Sequence, residues 1–311
     1  MQIVRYTKEK KDEWDSFVES SKNGTFLFKR NYMDYHADRF TDCSFMFYEK
    51  EKLIAILPAN INDSTLYSHQ GLTYGGLILT RESCTAQVLH LFEEFLSFLK
   101  KEIHIDKVLY KTIPYIYHSY PAEEDLYALF RCKAVLKERK ISSAIFMENA
   151  LPMKTLRKRG IAKAKNNELQ IKESTDSIKY WSVLNETLQN KHHTAPVHSS
   201  SEMNLLLKRF PHNIYIFEVL KNDKILGGCV VYNTKNVAHI QYIAANPKGK
   251  ELGALDLLFN YLIKERFHTK KYIDFGTSVE QGGWYLNEGL IFQKEGFGGR
   301  AIVYDTYEII L

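Results

Sequence analysis

Residues 272–300 read YIDFGTSVEQGGWYLNEGLIFQKEGFGGR, and four of these side chains can hold or move a proton. Asp274 closes a short apolar run that predicts a buried strand, and Gly276 permits a sharp turn just after it. Tyr285 and Glu288 follow three residues apart in a stretch that predicts a helix, which would put them on one face, and Lys294 precedes a glycine-laced turn. In the strand pattern NVAHIQYIAAN, His239 and Gln241 are two apart and so share a face. Such titratable groups clustered at element ends suit a transferase site. No covalent nucleophile is required, and the sequence shows no G-x-S-x-G elbow. Each residue also has a plainer reading: Asp274 as a carboxylate that ties down the turn, His239 as a packed histidine.

Other groups suit anions or sugars. In NPKGKELGALDLL, Gly249, Gly253 and Ala254 would let backbone amides at a helix start approach a phosphate, with Lys248 and Lys250 adding charge. Residues 150–172 are helical in propensity, with Pro152 suited to a first turn. They carry Lys154, Arg157, Lys158, Arg159, Lys163 and Lys165 with no acid before Glu168. That run is either a solvated face or a phosphate-binding helix beside an inter-domain cleft. In the first half, Tyr35, His36 and Arg39 stand by a predicted helix end. Gly71, Gly75 and Gly76 imply tight turns carrying His69, Gln70 and Tyr74. With the aromatic loop YKTIPYIYHSYP, these are either structural turns and core or a cleft for a sugar or peptide acceptor.

The elements that must position these residues occur twice. From residue 43 and again from residue 213, short apolar runs alternate with polar turns (Lys221–Lys224 and Asn233–Asn236 in the second half). A helix follows in each half, with stripes Leu91, Phe92, Phe95, Leu96, Leu99 and Leu255, Leu258, Phe259, Leu262, Ile263. Short strands KVLYKT and KYIDFG come next, then a shorter helical stretch and β-rich sequence. The period is too long for a solenoid and predicts a duplicated domain.

With 311 residues, two domains are expected, and 45% hydrophobic and 13% aromatic residues can fill both cores. The excess of 42 basic over 37 acidic residues is too small to indicate general nucleic-acid affinity. The opening MQIVRYTKEKKDEW lacks a secretory h-region, and no uncharged apolar run approaches the roughly 20 residues of a membrane span. Cys43, Cys84, Cys132 and Cys229 form no C-x-x-C. Together these features predict a cytoplasmic protein with reduced thiols and no metal site.

The second half reads strand (168–174), helix (175–190), helix (199–209), three strands, long helix, strand, helix and two strands. This succession resembles the GNAT acyltransferase fold, and the first half repeats its central and C-terminal parts. The tandem layout is similar to that of the Fem-like transferases and the related FemAB-like acetyltransferase family. LPMKTLRKRGIAKAKNNELQIKE resembles that family's basic helix, and VLNETLQNKHHTAPVHSSSEMNLLLKRF its two helices with a His/Pro-bearing loop. YIDFGTS followed by LIFQKEGFGG resembles its DFG-type strand end and F-x-K-x-x-(F/W)-G. The long helical-hairpin arm of some Fem enzymes is absent, and the GNAT signature Q/R-x-x-G-x-G/A is not intact.

The resemblance implies an α/β (mixed α+β) chain of two GNAT-like domains, 1–149 and 150–311, each a mixed, mostly antiparallel sheet flanked by helices. The first would bind substrate or be degenerate, and the second would hold the reaction centre. It further implies His239 as general base, Tyr285 as proton donor to the leaving thiolate, and Lys294 offsetting charge on a phosphate or oxyanion. Asp274 and Glu288 complete the expected catalytic set. An acyl-CoA, acetyl-CoA above all, would lie against Lys248, Gly249, Lys250, Gly253 and Ala254, and the substrate against Arg39, His69, Tyr74, Arg157 and His193. The expected activity is N-acylation of an amino group, on an amino sugar or nucleotide-linked sugar for surface polysaccharide. Two alternatives stand beside it: an aminoacyl-tRNA-dependent transferase acting on a cell-wall precursor, and a catalytically silent binding module.

Overall fold

The computed structural model of the protein describes residues 1–192 and 194–311. The chain forms two compact units. Unit 1 comprises Met1–Ile141, Gln281–Trp284 and Val303–Leu311, and unit 2 comprises Ser142–Glu280 and Tyr285–Ile302. The break falls at 141/142 rather than after 149, and the last residues of the chain return to unit 1.

In unit 1 the strands Gln2–Arg5, Phe45–Glu49, Lys52–Leu57 and Ile78–Leu79 form an antiparallel sheet in that order. The helix Thr85–Phe98 buries Val88, Leu91, Phe92 and Phe95 in a core shared with Phe45, Phe47 and Val108. These are the stripe residues that the 3.6-residue period picks out. A second row runs from Val303–Leu311 through Lys107–Lys111, Thr65–Tyr67 and Asn60–Asn62 to Thr41–Asp42.

Unit 2 is built on the row Gln170–Ser174, Ile214–Lys221, Lys224–Asn233, Val237–Ala245, Tyr272–Thr277 and the end of Val135–Phe146. Asn222 and Asp223, at φ 47° and 60°, supply the two left-handed residues that a tight hairpin needs. The helix Ala254–Tyr261 covers one face, packing with Phe217, Cys229, Val231, Ile273 and Phe275. Alternation along the strands sends their neighbours to the other face, where Tyr180 of the helix Ile178–His192 lies against Gly228 and Trp181 against Tyr242.

The duplication is visible in strand neighbours. Lys107–Lys111 pairs in parallel with Thr65–Tyr67 over three rungs, and Tyr272–Thr277 pairs in parallel with Val237–Ala245 over three rungs. Each has an antiparallel partner on its other side, but the partners are exchanged. Residues of Arg300–Ile310, the last strand of the second half, pair with Lys107–Lys111; residues of Val135–Phe146, the last strand of the first half, pair with Tyr272–Thr277.

Two local expectations are corrected. The basic helix runs Thr155–Asn166, so Pro152 lies outside it. Tyr285 and Glu288 do not share a helix face: Tyr285–Leu286 is a strand paired with Val279–Glu280, and the helix begins only at Glu288. Gly282 and Gly283, at φ 66° and 107°, turn the chain into a hairpin that overrides the helical propensity of the residues after them. All four cysteines are free; Cys43 and Cys229 are buried, and Cys84 is exposed. Among the described residues, no helix is long and apolar enough to cross a membrane, and no group of three His, Cys, Asp or Glu side chains is placed to hold a metal ion.

Candidate active site

The site begins where a sheet stops. Val237 faces Tyr272, Ala238 faces Ile273, and His239 faces Asp274; there the parallel pairing ends while both strands continue. Two irregularities separate them. Gln241 is an extra residue in its strand, since Ile240 lies opposite Val231 and Tyr242 opposite Val230. On the other strand, Gly276 takes φ 73°, and the register against the 135–146 strand shifts between Asp274 and Thr277. The bulge also breaks the alternation that predicted a shared face for His239 and Gln241.

His239 and Asp274 form an ion-pair-type dyad on the last rung. Nδ1 of His239 lies 2.8 Å from Oδ2 of Asp274, with the carboxylate side chain fully buried and the imidazole nearly so. Asp274 also accepts the Ser142 hydroxyl and, at 3.2 Å, the Gly276 amide. A carboxylate can only accept, so Nδ1 carries a proton, and in the neutral ring the lone pair is then on Nε2. The turn-tying and chemical readings of Asp274 therefore hold together: the Gly276 contact fixes the turn, and the His239 contact fixes the tautomer.

Lys294 reaches the same place from the helix Glu288–Glu295, which Asn287 caps by accepting the Leu290 amide at 3.0 Å. Its ammonium donates to the carbonyls of Gly276 at 2.7 Å and Thr277 at 2.8 Å, and the side chain is buried. Burial pushes its pKa down to about 8, against the pull of Asp274. Lys294 thus pins the strand end behind the dyad and keeps a positive charge near the carboxylate. Tyr285, 53% exposed, stands on the hairpin, and Glu288 occupies the exposed first turn of the helix.

The expected phosphate-binding residues gather elsewhere in unit 2. Arg157, Gly249, Lys250, Gly253, Ala254 and Asp256 are among those lining a cavity of about 300 Å³. Arg157 is bound to Asp256 at 2.7 Å, so its charge is already offset. The glycines meet protein: a Cβ on Gly249 would lie 2.1 Å from the Leu226 carbonyl, and one on Gly253 would lie 2.4 Å from the Gly160 carbonyl. Pro247 has no N–H, and Asn246 Oδ1 takes the Gly249 amide at 2.8 Å. The Gly249 amide is therefore already engaged within the protein. Lys248 is exposed and pairs with Glu251 at 3.0 Å. On the Thr155–Asn166 helix, Lys158, Arg159, Lys163 and Lys165 are exposed.

In unit 1, Tyr74 is a core residue that donates to Thr25 at 3.0 Å and packs against Tyr117 and Phe28. His69 is buried beside His36, its ring stacked at 5.3 Å, and burial lowers its pKa to about 3. Arg39 is exposed, its guanidinium 5.6 Å from the Tyr35 ring. His193 lies outside the described residues. Sequence reasoning missed Ser142, 132 residues from Asp274, and the Tyr242–His198 pair, whose Oη and Nδ1 are 2.6 Å apart. No spacing rule signals the first; the bulge that orients the second leaves no mark in composition.

The fold is that of a tandem GNAT-like protein of the Fem type. Over the whole chain it is similar to a solved structure of FemX, with a TM-score of 0.70, 11% identity and 98% of that chain covered. L-PGS from Bacillus licheniformis matches 97% of this chain and 91% of its own, with a TM-score of 0.62 at 12% identity. A tandem GNAT protein from the clavulanic acid biosynthesis pathway matches 99% of this chain and 97% of its own, with a TM-score of 0.51 at 9% identity. No protein-family model and no curated protein matches the sequence.

Proposed function

We propose that unit 2 transfers an acyl group from an activated donor to an amine. The observation that carries this reading is the His239–Asp274 dyad on the last rung of parallel pairing, at the point where two adjacent strands part. The lone pair of Nε2 takes the proton of the attacking amine, and Asp274 holds the tautomer and balances the imidazolium. The tandem GNAT fold shared with FemX and the clavulanic acid pathway protein supports the same class of chemistry.

The acceptor we propose is the amino group of an amino sugar or a nucleotide-linked sugar, and the first donor to test is acetyl-CoA. The engaged Gly249 amide, with exposed Lys158, Arg159, Lys163 and Lys165 on one helix, supports testing a second donor for the same step: an aminoacyl-tRNA. The test incubates the purified chain with amino sugars, nucleotide-linked amino sugars and each donor, and reads acceptor mass. A gain of one acyl group that disappears in His239→Ala supports the reading. Absence of product with every pair, from a folded chain, replaces it with a binding module.

A further inference from the structure

The strand Ile214–Lys221 reads IYIFEVLK, and the one acid in that largely apolar run is only 3% exposed. Glu218 lies opposite Lys172 of the terminal strand Gln170–Ser174 on one side and opposite Gly228 on the other. The Tyr180 ring takes the space that a side chain on Gly228 would need. Among the described residues, no cation is within ion-pair distance of the Glu218 carboxylate. Lys172 and Lys179 act on it through space, and Ser174 is its hydrogen-bonding partner. Burial raises its pKa above the ordinary 4.5 against all three. A carboxylate buried without an ion pair is costly, so the position calls for a reason.

A cavity of about 650 Å³ lies over this pair of strands, and Gln170, Lys172, Ser174, Lys179, Glu218 and Leu220 are among the residues lining it. Two other acids of its wall are already engaged. Asp176 accepts the Ile178 amide at 2.9 Å and the Asn204 side-chain amide at 3.0 Å, and Glu173 holds Arg266 at 3.3 Å. Asp223 stands exposed on the hairpin turn. The charges left to meet a ligand are therefore the buried Glu218 and the exposed Lys172 and Lys179, with Asp223 at one end. Charges on a terminal strand can serve simply to block pairing with another chain, and Lys172 and Glu173 can do that. Glu218 is one strand further in, where no such guard is needed. The strand Lys224–Asn233 stands between it and the strand of His239.

We propose that this cavity is a second binding site, separate from the dyad, for a small zwitterion: a free α-amino acid or a dipeptide. The ligand's ammonium meets Glu218, and its carboxylate meets Lys172 and Lys179. An ammonium on the buried carboxylate forms charge-assisted hydrogen bonds and supplies the missing counter-charge. The two lysines, exposed and without ion pairs of their own, complement the opposite end of the ligand. The volume falls within the range of roughly 300–1,000 Å³ usual for small-molecule pockets. The inference does not depend on the acyl-transfer reading, because no residue of the dyad takes part.

The test is calorimetric titration of the full chain at pH 7.5 with L-alanine, L-glutamine, L-lysine and L-alanyl-L-alanine. Their methyl esters, which lack the anion, and their N-acetyl forms, which lack the ammonium, are the controls. At least one zwitterion should saturate the protein below about 10 mM, with both of its blocked forms about 10-fold weaker or more. Glu218→Gln should weaken binding about 10-fold or more, and Lys172→Gln/Lys179→Gln about 3-fold or more. The lysine variant, altered only at exposed positions, carries the test should Glu218→Gln fail to fold. His239→Ala should bind as the wild type does. Binding that is lost in His239→Ala and kept in Glu218→Gln places the amine at the dyad and overturns the proposal. So do a blocked form that binds as well as its parent and the absence of saturation by every zwitterion. Failure of acyl transfer with intact, Glu218-dependent binding refutes the function proposed above and leaves this site standing.

Discussion

His239 and Asp274 face each other across the last rung of a parallel strand pair, with Nδ1 2.8 Å from Oδ2. The contact joins residues 35 apart in sequence, on strands that the intervening helix Ala254–Tyr261 makes parallel. Its chemistry depends on that register, because a one-residue slip would turn one partner to the opposite face.

Replacing Asp274 with Asn should preserve packing while letting the wrong imidazole tautomer form. We expect kcat to fall by about 10²-fold or more with KM little changed. The double variant His239→Ala/Asp274→Asn should be no slower than His239→Ala alone, because the two act as one unit. Steady-state kinetics with circular dichroism on each variant checks both points. Additive losses would separate the residues.

Lys294 gives a pH signature of stability. Its folded pKa of about 8 lies below the ordinary 10.5, so between those values the unfolded chain binds the proton more tightly. Stability therefore rises with pH through that window, and the contribution is lost as pH falls through about 8. The span corresponds to about 3 kcal/mol. Urea titrations from pH 7.5 to 10 should show this slope in the wild type and a flatter profile in Lys294→Met.

Asp125 in unit 1 has the opposite sign. It is buried, accepts the Tyr110 hydroxyl at 2.8 Å, and has its pKa raised to about 6 by burial. The folded chain holds that proton more tightly than the unfolded one, so stability is fully present below the ordinary 3.8 and is lost as pH rises through about 6. Asp125→Asn can still accept from Tyr110, and at pH 7.5 it should be more stable than the wild type by up to about 3 kcal/mol. Equal stability at pH 7.5, measured by denaturant titration, would contradict the raised pKa.

Much of this architecture was legible in the residues. The apolar stripes of both long helices, the hairpin at Asn222–Asp223 and the strands containing Val108 and Ile273 follow from periodicity and turn chemistry. His239, Asp274 and Lys294 were legible singly as titratable groups at element ends. Their assembly was not, because register and a bulge decide it, and neither is local. Gly249 and Gly253 show a related limit: a glycine signals that something comes close, and the sequence does not say that Leu226 and Gly160 are among the close neighbours. Tyr285 misled because two left-handed glycines outweighed the helical propensity around it.

Gly160 offers a test of that packing. A Cβ there would lie 1.9 Å from Asp256 Oδ2, the carboxylate bound to Arg157. Gly160→Ala should cost about 1–3 kcal/mol through forced separation of the two helices, although alanine is the better helix former. Thermal unfolding compared with Gly249→Ala measures it; unchanged midpoints would mean the helices move apart freely.

The exchanged end strands set an order of manufacture. Residues 303–311 belong to the unit built from the start of the chain, where Asp305 binds Arg139 through two hydrogen bonds of 2.8 and 2.7 Å. On the ribosome these residues emerge only after all of unit 2 has been made. The first-made unit is thus the last completed, and until then the strand Lys107–Lys111 lacks its antiparallel neighbour and presents an open edge to other nascent chains.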